Sequence, residues 1–161
     1  DLEQIIPALA LIAVLILCLT ACEPDDICLE GTTGSPNLIV VFYDKNQTDT
    51  KKSVTDLQIK GLDMETLLYD STTDSISLPI KTISNSTSFS LIATQNGNTL
   101  EDIITFNYDP EDKFISRACG FKTRFNNLTF STSNTLNWVE FIEILTDSIS
   151  DTNNTHVKIL H

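Results

Sequence analysis

Histidine, tryptophan and methionine are nearly missing from this chain: two, one and one residues in 161. Two histidines give little material for acid–base catalysis or a metal centre. No Gly-x-Ser-x-Gly, His-x-x-x-His or glycine-rich phosphate loop occurs. Five glycines and five prolines are too few for a collagen-like or linker-like chain. Basic side chains are also scarce, 10 against 22 acidic, which leaves a net charge of −12. That balance excludes a general nucleic-acid binder, which needs basic surface to displace counterions from phosphates. What is present is 41 % apolar and 20 % charged, sufficient for a packed core, in a length that suits one domain.

The longest apolar run lies at the N-terminus. Ile5 to Leu19 is broken only by Pro7 and Cys18. It is shorter than the roughly 20 residues a spanning helix needs, but fits the apolar region of a secretory signal peptide. It closes with Leu19-Thr20-Ala21-Cys22, which resembles a bacterial lipobox. The expectation is a signal peptide over residues 1–21, cleavage before Cys22, and lipid on the Cys22 thiol and amine. Several acyl chains anchor a protein firmly, at roughly 0.8 kcal/mol per buried CH₂. Asp1 and Glu3 stand where such a peptide carries positive charge, so the sequence is expected to begin inside a longer reading frame. The mature chain would run from Cys22 to His161, with residues 22–36 as the lipidated cysteine and a short tether, and residues 37–161 as the folded domain.

With Cys18 removed and Cys22 lipidated, Cys28 and Cys119 remain as an even pair in an oxidising compartment. A disulfide is expected, the alternative being two buried free thiols. Six residue steps from Cys22 to Cys28 span at most about 20 Å. If Cys28 is pinned to Cys119, the folded body stays close to the headgroups.

Beyond the breaker cluster Gly31 to Pro36 the chain reads as short strands. Asn37–Tyr43 is β-branched and aromatic, and Val54–Lys60 places Leu57 and Ile59 on one face. Met64–Tyr69 is a weaker run. Ser75–Ile80 and Ser88–Ala93 alternate, and Pro79 marks an edge strand or strand end. Asn96-Gly97 is a hairpin turn signal. Glu101–Tyr108 follows, then a turn at Asp109-Pro110-Glu111-Asp112. Lys113–Cys119, Phe121–Phe130, Leu136–Leu145 and His156–Leu160 complete the series. Turns every 8–12 residues without a long helical pattern predict an all-β fold, a single antiparallel β-sandwich with immunoglobulin-like or related topology.

Several segments together carry a resemblance: Cys22-Glu-Pro-Asp-Asp-Ile-Cys28, Phe42-Tyr43-Asp44, Leu78-Pro79-Ile80-Lys81-Thr82, Ser116-Arg-Ala-Cys-Gly-Phe-Lys-Thr123, Asn137-Trp138 and His156-Val-Lys-Ile159. They resemble a family of small lipoproteins of Bacteroidota whose domain has no known function, over essentially the whole mature chain. Family members usually carry Lys where Pro24 stands. Lys and two acids after the lipidated cysteine resemble a surface-export signal of that phylum, of which Asp25 and Asp26 are kept here. The resemblance therefore leaves both the periplasmic and the surface leaflet of the outer membrane open. It also implies O-glycan acceptors at Ser71, Ser75 and Ser148, each after an aspartate, where they lie on loops.

The remaining candidates read as structure. Cys119 beside Gly120 is better explained by a disulfide than as a nucleophile. Glu111 and Asp112 suit a solvated turn, and Asp109–Asp112 lacks EF-hand spacing for calcium. Arg117 shares strand parity with Ile115 and Cys119, which points it towards the apolar face and a structural ion pair. Trp138 in an apolar strand reads as core. The functional expectation is a non-catalytic cell-envelope lipoprotein with no cofactor and no metal. It would be held to the outer membrane by its N-terminal lipid and act as an accessory or binding subunit for an envelope protein partner. The alternative is a surface glycan-binding module, which exposed aromatics around a cleft would favour.

Overall fold

The computed structural model describes Cys28, residues 34–133 and residues 135–161. The expected signal peptide and Cys22 lie outside the described residues. The described residues form two compact units. Gly34–Phe114 with Phe121–His161 makes up one; Cys28 with Ile115–Gly120 is the described part of the other.

Nine strands and no helix occur among the described residues: β1 Leu38–Tyr43, β2 Val54–Gly61, β3 Leu67–Thr73, β4 Ser75–Leu78, β5 Ser86–Gln95, β6 Asn98–Ser116, β7 Gly120–Thr132, β8 Phe141–Ile144 and β9 Val157–Leu160. They form a β-sandwich of two sheets, ordered β4-β1-β9-β8 and β3-β2-β5-β6-β7. The core lies between inward residues at strand spacing: Leu38, Val40 and Phe42 from β1, Leu57 and Ile59 from β2, Phe89 and Leu91 from β5, Ile104 and Phe106 from β6. Each such side chain contributes roughly 1.5–3 kcal/mol by leaving water.

Local chemistry explains several elements directly. Asn96 and Gly97 both take positive φ, 52° and 78°, the primed turn whose twist suits a hairpin. β5 and β6 then pair without interruption from Gln95↔Asn98 to Ser86↔Asn107. β4 is an edge strand and ends immediately before Pro79, as the proline requires. Asp56 has φ 49° where the β2–β3 register shifts, and its N–H donates to Thr72 Oγ1 at 3.1 Å.

The structure corrects five expectations. The weak run Met64–Tyr69 yields β3 three residues later, because Leu62 to Met64 are taken up by the turn. Asp109–Asp112 is no turn but part of the 19-residue β6. Its acids are tied across to β7: Asp109 accepts from Asn127 Nδ2 (2.7 Å), Glu111 from Asn126 Nδ2 (3.2 Å) and Asp112 from the Thr123 hydroxyl (2.7 Å). Arg117 lies in the turn 117–119 and is exposed, so its strand parity is void. Leu136–Leu145 is strand only at Phe141–Ile144. Finally, the sandwich is not antiparallel throughout. β1 and β9 run parallel, Val40↔Val157 to Tyr43↔Leu160, and this places the last strand between β1 and β8.

Candidate functional site: an apolar groove between two connections

A groove of about 470 Å³ opens between the β2–β3 turn and the β4–β5 connection. Its wall and rim include Leu62, Met64, Leu68, Ile80 and Phe89, with Asp63 and Lys81 as the charged members. Leu62, Met64 and Leu68 are exposed apolar residues at its edge, and Ile83, in the same β4–β5 connection, is 97 % exposed. Met64 folds back across Gly61, so close that a Cβ there would meet its Sδ at 2.9 Å. The turn is closed by Met64 N–H donating to Gly61 O (3.0 Å) and Leu62 N–H to Ser88 O (3.0 Å).

The opposite wall is held from beneath. Tyr108 Oη donates to Lys81 O at 2.9 Å, while the Thr87 hydroxyl accepts from Lys81 N–H at 3.0 Å. The Thr87 and Tyr108 oxygens are 2.6 Å apart, and with the phenol proton committed to Lys81 the Thr87 hydroxyl is the donor between them. Burial raises the Tyr108 pKa above its ordinary value, which keeps the phenol neutral. Tyr108 N–H also donates to Asn85 O (2.9 Å), so one buried residue fixes both ends of the connection. The groove is therefore a preformed feature whose exposed edge is aliphatic.

A second, smaller depression of about 250 Å³ includes Lys45, Lys52, Thr94, Trp138 and His161. Its cations are already engaged. Lys45 pairs with Glu140 at 2.5 Å, and Lys52 donates to His161 O at 3.0 Å with Asp44 3.8 Å away. Trp138 is 3 % exposed and its indole N–H donates to Leu91 O at 3.1 Å, so it is core, as its setting in the sequence indicated. Both histidines are committed to backbone. His156 Nδ1 accepts from Ile39 N–H (3.0 Å), and His161 Nε2 lies 3.1 Å from Lys52 O. Burial lowers both pKa values below the usual imidazole range; in His156 this outweighs the opposing charge of Asp151. These rings act as neutral hydrogen-bonding elements of the sheet.

Cys28 and Cys119 form a disulfide, Cα–Cα 5.0 Å, across 91 residues. Of the serines expected to carry glycan, Ser71 lies within β3 and Ser75 opens β4. Only Ser148 lies in a connection, half-buried, where its hydroxyl donates to Asn126 Oδ1 at 3.3 Å.

One buried residue was not anticipated. Asp102, 1 % exposed, accepts from Asn137 N–H (2.6 Å) and Asn137 Nδ2 (3.2 Å) on one oxygen, and from Trp138 and Val139 N–H (2.9 Å each) on the other. The signal was in the sequence: Asp102 shares strand parity with Ile104, Phe106 and Tyr108, which places its carboxylate on the inner face.

No curated protein and no solved structure matches the chain. A family model matches residues 56–161, a stretch that includes β3 to β9, both walls of the groove, Asp102 and Cys119; the chain belongs to this family of unknown function (DUF6452).

Proposed function

We propose that this protein is a non-catalytic accessory or binding subunit of the bacterial cell envelope, anchored to the outer membrane by lipid on Cys22, which docks a protein partner through the groove between the β2–β3 turn and the β4–β5 connection. The observation that carries this reading is the exposed apolar edge formed by Leu62, Met64 and Leu68 on a preformed concavity, with Ile83 exposed in the β4–β5 connection that supplies the opposite wall. Apolar surface gathered at one place on a strongly acidic chain marks an interaction site. A glycan site would present an aromatic platform, whereas this edge is aliphatic and Trp138 is spent on the core. The non-catalytic reading is supported by the engagement of both imidazoles with backbone groups. The anchor is supported by the lipobox-like sequence at residues 19–22, and the likeness to Bacteroidota lipoproteins supports the compartment.

The test is a photo-crosslinking residue at position 83 in cells, with position 153 as control. The expected result is one discrete protein adduct from position 83, lost when Met64→Asp places a charge on the rim. Absence of an adduct, or an adduct indifferent to Met64→Asp, overturns docking at the groove. Mass spectrometry of the mature N-terminus tests the anchor independently, since Cys22→Ala is expected to remove acyl mass and release the protein from membranes.

A further inference from the structure

Two open sheets leave four edge strands, β4, β8, β3 and β7, and three of them are blunted. β4 and β8 have only four residues each, and β4 stops at Pro79. The outer side of β7 is covered. Phe125 and Ile149 exchange both backbone bonds there, at 3.1 and 2.7 Å, and Leu128 N–H donates to Asp147 O at 2.9 Å. β3 is different. It has seven residues, five of them exposed, and contains neither lysine nor proline, the residues that commonly protect an edge.

The register shows which backbone groups this edge leaves open. Leu62 N–H donates to Ser88 O, so Lys60 and Gln58, in step with Leu62, bond towards β5 at Ser90 and Ile92. Leu57 and Ile59 therefore bond towards β3, at Ser71 and Tyr69. Between these two, Asp70 lies opposite Gln58 and turns its N–H and C=O away from β2. Among the described residues no backbone group pairs with them there. Register shifts flank this stretch, which is regular across Tyr69–Ser71. The charge beside it has one sign. Residues 62–80 hold Asp63, Glu65, Asp70 and Asp74 and no base. Among the described residues none of these acids forms an ion pair, and neither do the flanking bases Lys60 and Lys81. Asp70 accepts from the neutral Gln58 amide at 3.3 Å, which leaves its charge unbalanced.

We propose that the open edge of β3 takes up an extended, lysine- or arginine-bearing segment of the partner protein as an added strand. An extended chain is the occupant that matches unpaired N–H and C=O groups at strand spacing. Basic side chains are those that match a run of unpaired carboxylates. On the face that Asp70 shares with Gln58, the cations of the added strand meet Asp70. At the β2–β3 turn its end reaches Leu68, which lines the groove. A second copy of this chain is a poor occupant, because β3 paired with itself sets its acids against their own like charges. The proposal rests on the docking reading above and adds the element that docks, whereas the open edge itself exists independently of the groove.

The experiment uses the full chain, with fluorescently labelled hexapeptides as probes. Lys-Val-Lys-Val-Lys-Val is expected to bind at least about tenfold more tightly than Glu-Val-Glu-Val-Glu-Val. It is expected to exceed by the same factor, about tenfold, the lysine peptide N-methylated throughout, which keeps the charge but cannot donate along the backbone. Bound peptide is expected to slow amide exchange at Asp70, while Tyr69, already bonded to β2, changes little. Asp70→Pro removes the outward N–H at an edge position and is expected to abolish binding. Should that variant unfold, Asp70→Lys carries the test, with an expected loss of at least about fivefold. Equal binding of the N-methylated or the glutamate peptide, or unchanged exchange at Asp70, overturns strand addition. In cells, a photo-crosslinker at position 72 is expected to capture a basic segment of the same protein that position 83 captures, and capture of a second copy overturns the proposal. A position 83 adduct that survives Asp70→Lys leaves docking at the groove standing and overturns the role of β3. Peptide pairing at β3 without any adduct at position 83 leaves the edge standing and overturns the groove.

Discussion

Asp102→Ala leaves the backbone N–H groups of Asn137, Trp138 and Val139 without an acceptor inside the sandwich. The wild-type carboxylate receives four hydrogen bonds of 2.6–3.2 Å there. Bonds to a charged group contribute roughly 1.5–3 kcal/mol each, and an orphaned buried donor costs about 1–3 kcal/mol. The losses do not sum fully, because residues 135–140 can relax and the cost of burying the carboxylate is recovered. A net loss of about 3–5 kcal/mol follows, a large part of the 5–15 kcal/mol that holds a typical domain folded. With a urea dependence of about 2 kcal/mol per molar, the unfolding midpoint moves down by about 1.5–2.5 M. The assay is equilibrium urea unfolding followed by the emission of Trp138, the sole tryptophan and a direct neighbour of the lost bonds. Asp102→Asn separates charge from geometry. Its amide keeps one acceptor and turns an NH₂ towards either Asn137 or the Trp138–Val139 pair, so it is expected to destabilise nearly as much as alanine. A midpoint shift below about 0.5 M for both variants would refute the reasoning.

Four further outcomes are expected. Both buried histidines have lowered pKa values, so the unfolded chain takes up protons that the folded chain refuses. Stability should be full above about pH 6.5 and fall as pH drops below it towards the lowered folded values, and a urea midpoint measured from pH 8 to 5 reads this directly. Cys119→Ser opens a 91-residue separation and should cost on the order of 4 kcal/mol by the chain-entropy model, read as a lower melting temperature that reducing agent reproduces in the wild type. Replacing Asn96-Gly97 by Ala-Ala forces two alanines to positive φ and should destabilise by about 1–3 kcal/mol in thermal unfolding. Tyr108→Phe removes the bond to Lys81 O and should cost about 1–2 kcal/mol, with faster amide exchange at Lys81 than at a remote site such as Ile59.

How much of this was legible beforehand depends on the range of the interactions. Asn96-Gly97 could be placed because a two-residue turn is decided by its own φ preferences. Ile76 and Leu78 could be placed because alternation is local. The run Asp109-Pro110-Glu111-Asp112 misled because proline and acids usually mark a turn. Here β5 stops pairing at Ser86↔Asn107 and Tyr108 N–H is taken by Asn85 O. Pro110 shares the parity of Tyr108, so its missing N–H falls on the side where no strand remains. β3 was displaced because its DSTT half lies on an exposed edge, where hydrophobic periodicity says little. Leu136–Val139 reads as strand by composition, but a carboxylate 35 or more residues away captures its N–H groups, and no local window contains that competitor. The groove depends on long-range pairing too: its two walls meet only after β2 pairs with β5.

The parallel pairing of β1 with β9 has a bearing on biogenesis. Val40 waits for Val157, 117 residues later, before the sheet β4-β1-β9-β8 can close. Until then β1 has an open side, and the N–H and C=O groups that β9 will satisfy are free to recruit a strand from another molecule. A nascent chain therefore cannot finish this sheet early, whatever its other hairpins do. Loss of the short segment Val157–Leu160 would remove an interior strand and detach β8 from β1, so damage at this end of the sequence should be felt at the centre of the fold.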